Sequence, residues 1–321
     1  MDPTSKLVAR KMFKLRVHEA KGFAFQRLFE LVMGYRYTDF VPVRPYGNAG
    51  DRKNDGYIPS EGRYFQVFAP ENPASRNTEV SAAQKAVDDF EGLKAFWDKS
   101  TPIRDFRFVF NDEYRGSPPP LEKALSKIRG EHKIEAGVFL AKDLEAEALS
   151  LAQDQLMDVI GTTIPDIGLL HDVSFGVLRE VINHVLEQQV PLKPEAALRA
   201  PDFTDKINFN GLTSVVAALL TVGSYQNDAV KDYFSKNSTF ARQEVRDRLN
   251  SMYITSRQKF SSLSAATAEI GDLTFFDLLE QVTPPTKKLP RMQKAVQEAA
   301  IVVMAYYFEA CDIFEDPNAA P

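Results

Sequence analysis

The 321-residue chain holds one cysteine, Cys311, and one tryptophan, Trp97. A single cysteine excludes an internal disulfide framework and a thiolate-rich zinc site, and it fits a reducing cytoplasm. Four histidines (His18, His132, His171 and His184) stand far apart, and no pair has the His-x-x-x-His spacing of a metal-binding helix. They read as structural or surface residues. A phosphate-cradling Gly-x-x-x-x-Gly-Lys loop is missing, which excludes ATP binding of that kind. Long apolar runs are missing too: Val215–Val222 and Ala299–Phe308 are the longest, too short to span a bilayer. The basic stretch Met1–Arg16 has no apolar centre and does not read as a signal peptide. Nor is positive charge in excess, since 39 Lys and Arg face 44 Asp and Glu, for a net charge of -5. Any nucleic-acid contact therefore needs a local basic patch on an acidic background.

What is present is enough apolar material for true cores, 44% of residues, over a length that suggests two domains. The first half alternates in type. Leu15–Met33 has apolar residues at helical spacing, with Gly34 as its stop. Phe40–Pro45 is a short extended piece, and Tyr57–Ile58 and Tyr64–Ala69 form a hairpin around Ser60–Gly62. Helix Glu79–Trp97, strand Arg104–Asn111, helix Leu121–Ile128, strand Ile134–Ala141 and helix Asp143–Val159 follow. This order predicts an α/β domain with a mixed sheet covered on both faces. After Gly161–Gly168 the pattern becomes helical throughout: Ser174–Gln189, Gly211–Ser224, Asp228–Ser235, Phe240–Phe260, Thr274–Gln281 and Met292–Cys311. Breaks fall at Pro191–Asp202 and Pro284–Pro290. The boundary is placed near Thr163–Leu170, giving an α/β domain over 1–163 and an all-α domain over 164–321.

The sharpest constellation lies in Gly50–Pro70. Asp51 and Asp55 sit in a polar, Gly-flanked loop, and Gln66 is the one polar residue on a strand face between Tyr64 and Phe68, because alternate strand residues share a face. A carboxylate and an amide oxygen brought together across a hairpin suit a hard divalent cation, which takes oxygen ligands and keeps several waters. Such an ion serves phosphodiester hydrolysis. The competing reading is a solvated turn, since Asn-Asp-Gly favours turns. Arg44, Arg52, Lys53 and Arg63 flank the loop as candidate phosphate contacts, or as solubilising charges. Tyr46, Tyr57 and Tyr64 read as core edge before base-stacking groups.

Phe25–Gly34, then Gly50-Asp-x-x-Asn-Asp-Gly, then Tyr64-Phe-Gln-Val resembles the Mrr-type branch of the PD-(D/E)xK nucleases. Gly50–Gly56 with Tyr64–Glu71, and the tail Tyr306–Pro317, resemble the nuclease-like subunits of bacterial ABC three-component, Lamassu-like defence systems. The resemblance implies an α/β restriction-endonuclease-like N-terminal domain and an all-α C-terminal domain for oligomerisation or partner docking. It implies a cytoplasmic endonuclease effector using Mg²⁺ or Mn²⁺ on double-stranded DNA. Expected partners are an ABC/SMC-like ATPase, a small third subunit and further copies of the chain, with no membrane. Asp55 and Gln66 are the implied metal ligands, and Gln26 or Glu30 takes the place of the first helix's acid. The chain departs from the pattern at Phe68, where the family carries lysine, and Lys85 on the next helix becomes the candidate substitute. That departure also supports the rival expectation, a catalytically silent subunit that tethers its partners or binds DNA.

Overall fold

A computed structural model describes residues 1–44, 52–167, 173–189, 203–236, 239–263, 266–285, 290–310, 313–315 and 317. The chain divides into two compact units, one of Arg16–Ile160 and one of Met1–Leu15 with Gly161–Pro321. Helix α1 (Pro3–Glu19) runs through the division.

The Arg16–Ile160 unit is built on a five-stranded sheet in the order β1-β2-β3-β4-β5: Val41–Pro42, Gly56–Ile58, Arg63–Phe68, Asp105–Phe110 and Glu135–Leu140. The first three strands pair antiparallel, and β3, β4 and β5 run parallel. The parallel pairs require crossovers, supplied by α3 (Arg76–Trp97) and α4 (Pro119–His132). Both pack on the sheet face that presents Tyr64, Phe106, Phe108 and Phe110, burying Ala82, Ala86, Phe90, Leu93, Leu121 and Leu125. On the other face Phe65 meets Phe29 of α2 (Gly22–Arg36), their ring centroids 5.2 Å apart, and Phe139 of β5 at 6.2 Å. Burial on both faces explains why β3 reads as nearly continuous aromatic and apolar sequence.

Two helices expected as single pieces are broken. The Leu15–Met33 stretch is interrupted at Ala20–Lys21, where Gly22 takes a positive φ of 48°. Gly34 is no stop, since α2 continues to Arg36. The Asp143–Val159 stretch is α5 (Ala141–Ala148) and α6 (Gln153–Ile160). Between them the Ser150 hydroxyl turns back onto the Glu147 carbonyl at 2.6 Å, a local bond that competes with the helix ladder.

Beyond Gly161 the described residues of the second unit form helices and no strand: α7 (Phe175–Glu187), α8 (Phe203–Phe209), α9 (Ser214–Ser224), α10 (Asn227–Lys236), α11 (Thr239–Phe260), α12 (Thr267–Val282) and α13 (Pro290–Glu309). The short α8 is an addition to the sequence reading. Helix α13 buries Ala299 through Phe308 without interruption, as a helix apolar all round must. Among the described residues no helix is long and apolar enough to cross a membrane.

Candidate functional site

The turn after β2 is closed by Glu61 and Gly62 amides donating to Ile58 and Pro59 carbonyls at 3.2 Å each. Gly62 has φ +62°, and a Cβ there would stand 2.7 Å from the Pro102 carbonyl, so only glycine fits. The turn fixes the register Gly56↔Phe65, Tyr57↔Tyr64 and Ile58↔Arg63. One residue beyond Gly56, Asp55 continues alongside β3. Its amide donates to the Phe65 carbonyl at 3.0 Å, and its carboxylate Oδ2 accepts the Val67 amide at 2.6 Å. The Asp55 backbone and side chain thus bracket Gln66. The hairpin therefore sets Asp55 against the two strand residues that flank Gln66.

Asp55 and Gln66 are buried, at 3% and 6% exposure. Gln66 shares its face with Tyr64 and Phe68, the face covered by α3. Its Oε1 is buried with no hydrogen-bond partner. The adjacent Asn54 is also buried, its Oδ1 accepting the Gly56 amide at 3.1 Å while its Nδ2 is left without a partner. Unpaired polar atoms in a packed interior are costly and call for an explanation. Phe68 is an apolar side chain with its ring 6.0 Å from those of Phe108 and Phe110.

A second group forms on α3. Asp89 lies on the buried face of the helix at 1% exposure. Its Oδ1 meets the Lys53 ammonium at 2.9 Å, and its Oδ2 accepts from Lys85, one helical turn back. Lys53 reaches α3 from a strained turn, since Arg52 and Lys53 have positive φ of 57° and 63°. Its stem is so close to Gly92 that a Cβ there would stand 3.0 Å from Lys53 Cγ. The Arg52 guanidinium lies over the Phe96 ring at 5.2 Å. A cleft of about 680 Å³ opens beside Lys53, Arg76, Gln84, Lys85 and Asp89. Lys85 and Lys53, read from the sequence as a catalytic and a DNA-contacting residue respectively, are therefore joined through one carboxylate.

The remaining candidates are placed elsewhere. Arg63 points to the opposite sheet face, paired with Asp105 at 2.7 Å and Glu61 at 2.9 Å. Gln26 donates to Glu30 at 2.9 Å on α2, the helix that covers the Phe65 side of the sheet. Tyr64 is fully buried, its hydroxyl donating to the Thr101 carbonyl at 2.9 Å, so it is core. Asp51, Tyr46, His171 and Cys311 lie outside the described residues. Among the described residues no cluster of three or more His, Cys, Asp or Glu forms a metal cage; the oxygen set at the hairpin is one carboxylate and one amide.

The sequence reading missed a further charged group at the carboxyl ends of the parallel strands. Lys21 is ion-paired with Glu113, and Glu113 and Tyr114 both hold positive φ. Burial pushes the Lys21 ammonium below its usual range, partly offset by Glu71. Its sequence signal, a lone Lys before a Gly, is too common to single out.

The helical unit supplies the connection to known proteins. Residues 177–315 match C-terminal domain 10 of the ABC-three component (ABC-3C) systems. The matched span takes in α7 to α13 and most of the tail Tyr306–Pro317. It supports membership of the chain in such a defence system, and with it partnership inside a multi-component assembly. Comparison with curated proteins and with solved structures gives no match.

Proposed function

We propose that the chain is the metal-dependent endonuclease effector of an ABC-3C defence system, with a restriction-endonuclease-like N-terminal unit. The observation that carries this reading is the Asp55 carboxylate held on the Val67 amide, next along the strand from Gln66, whose Oε1 is buried and unsatisfied. The order helix, three antiparallel strands, crossover helix and parallel strand around that pair supports it. An amide oxygen and a carboxylate suit Mg²⁺ or Mn²⁺, which complete their shell with water. Asp55 and Gln66 would hold the ion, which would supply a water of lowered pKa and offset charge on the phosphate. Asp55 is held for this by the Val67 amide, and Gln66 by the strand beneath α3. Lys85 brings positive charge to the neighbouring cleft in place of the lysine that Phe68 replaces. Double-stranded DNA is the substrate, an ABC/SMC-like ATPase and a small third subunit are the partners, and a second copy serves the second strand.

The test is incubation of pure protein with supercoiled plasmid and Mg²⁺ or Mn²⁺, with and without the partner subunits. Nicked and linear products are expected from the wild type and none from Asp55→Ala. One observation favours a second reading: Phe68 is packed among Phe108 and Phe110, leaving the strand without a cation at that position. Intact plasmid in every arm would leave the silent, tethering subunit as the function.

A further inference from the structure

Asp89 has no role in the metal reading, yet it is a buried carboxylate held by two cations. A carboxylate at 1% exposure is costly unless paired. Here it is paired twice, by ammonium groups from two separate elements. One of them arrives from two consecutive left-handed residues, over a glycine that leaves room for its stem. Such strain costs on the order of 1–3 kcal/mol per residue and persists only where the surroundings fix it. A lone ion pair would need one lysine. Two ammonium groups on one carboxylate leave a net positive charge facing the cleft; Arg76 adds one more and Asp88, on the same lining, offsets it, so the cleft stays net positive.

We propose that Asp89 is a positioning residue that holds the Lys53 and Lys85 ammonium groups side by side to grip one phosphate of a DNA strand. Asp89 itself does not touch the strand; it fixes the spacing of the two donors on its two oxygens. The lysine side chains remain half and one-third exposed, so an anion in the cleft can reach both ammonium groups. The inference rests on the nucleic-acid reading above and adds to it the group that receives the backbone.

The test is duplex binding by the full chain in EDTA, read by anisotropy of a fluorescein-labelled DNA duplex over a salt series, with plasmid cleavage in Mg²⁺ run in parallel. The double variant Lys53→Gln/Lys85→Gln is expected to lower the slope of log K against log salt by about 0.9, the amount for one phosphate of B-DNA. Asp89→Asn raises the net positive charge of the cleft, so simple attraction predicts tighter binding; positioning predicts binding several-fold weaker, with Asp89→Glu retaining most of the affinity. Asp88→Asn, on the same cleft but bonded to Gln84, is the charge control and is not expected to weaken binding. Asp89→Asn binding at or above wild-type strength, an unchanged slope in the lysine pair, or a wild type that does not bind duplex overturns the proposal. If Asp89→Asn fails to fold by circular dichroism, the slope of the lysine pair decides alone. Cleavage by a wild type whose lysine variants keep its slope sinks the phosphate grip and leaves the nuclease reading standing. Loss of slope without any wild-type cleavage does the reverse.

Discussion

Gln66 would be a poor choice for stability alone. Its neighbours on the same face, Tyr64 and Phe68, belong to an aromatic core, and its Oε1 meets no donor. A buried group left unsatisfied costs about 1–3 kcal/mol. Gln66→Leu is therefore expected to raise the urea midpoint in metal-free buffer while abolishing plasmid cleavage; a lower midpoint would remove the argument that the site is strained for function. Tyr253 gives a residue-scale prediction in the other unit. Burial raises its phenol from 10.0 to about 12. The folded-state value lies above the unfolded one, so its contribution is complete below pH 10 and is lost as pH rises toward 12. The loss is about 2–3 kcal/mol at 1.36 kcal/mol per unit. Tyr253→Phe should unfold at higher urea than wild type above pH 10, and equal midpoints there would refute the assignment. At this scale the placement of Asp55 beside the strand of Gln66 was legible because strand alternation and a hairpin are local rules. Asp89 was not, since beside Asp88 on a helix it reads as surface, and its burial depends on Lys53 from a distant turn.

The elements that carry the site have identifiable weak points. Helix α3 begins at Ser75, whose hydroxyl accepts the Thr78 amide at 3.1 Å. Ser75→Ala should cost about 0.5–2 kcal/mol, the range for a lost N-cap, and should weaken duplex binding as well if Lys85 and Asp89 depend on that helix. Gly62 is the joint between hairpin and parallel sheet, because its carbonyl accepts both the Arg104 and Asp105 amides, at 2.9 and 3.2 Å. Gly62→Ala combines a left-handed backbone with a 2.7 Å clash and is expected to lower stability by more than about 1 kcal/mol, measured as the shift in urea midpoint. Strand positions in this half were readable to within a residue or two, since aromatic alternation runs along β3 and β4. Helix interruptions at Ala20–Lys21 and Leu149–Ala152 were not, because apolar spacing continues across them and the breaks are made by a positive φ at Gly22 and a side-chain bond from Ser150.

At the scale of the whole molecule, the change from alternating to purely helical pattern near Gly161 was visible in composition, but the grouping of the first fifteen residues was not. Met1–Leu15 counts with the helical unit although more than a hundred residues of the other unit separate them in sequence. The attachment is specific: Lys11 pairs with Asp272 at 2.9 Å and Lys14 with Glu269 at 2.7 Å, both on α12. Val8, Met12 and Phe13 are buried on the same segment, and each buried apolar side chain contributes roughly 1.5–3 kcal/mol. Their sequence gave no warning, because the surrounding lysines and arginines make the stretch look like a basic tail. Deleting residues 2–14 is therefore expected to damage the half of the protein furthest from it in sequence. Hydrogen exchange followed by mass spectrometry should show faster exchange in α12, while β3, β4 and β5 keep their protection, since the sheet unit retains Arg16 onward. Fast exchange in the strands with α12 unchanged would assign the segment to the other unit. If the ABC-3C-matched region docks partner subunits, the same deletion should also weaken complex formation without touching Asp55 or Gln66, separating assembly from chemistry in one variant.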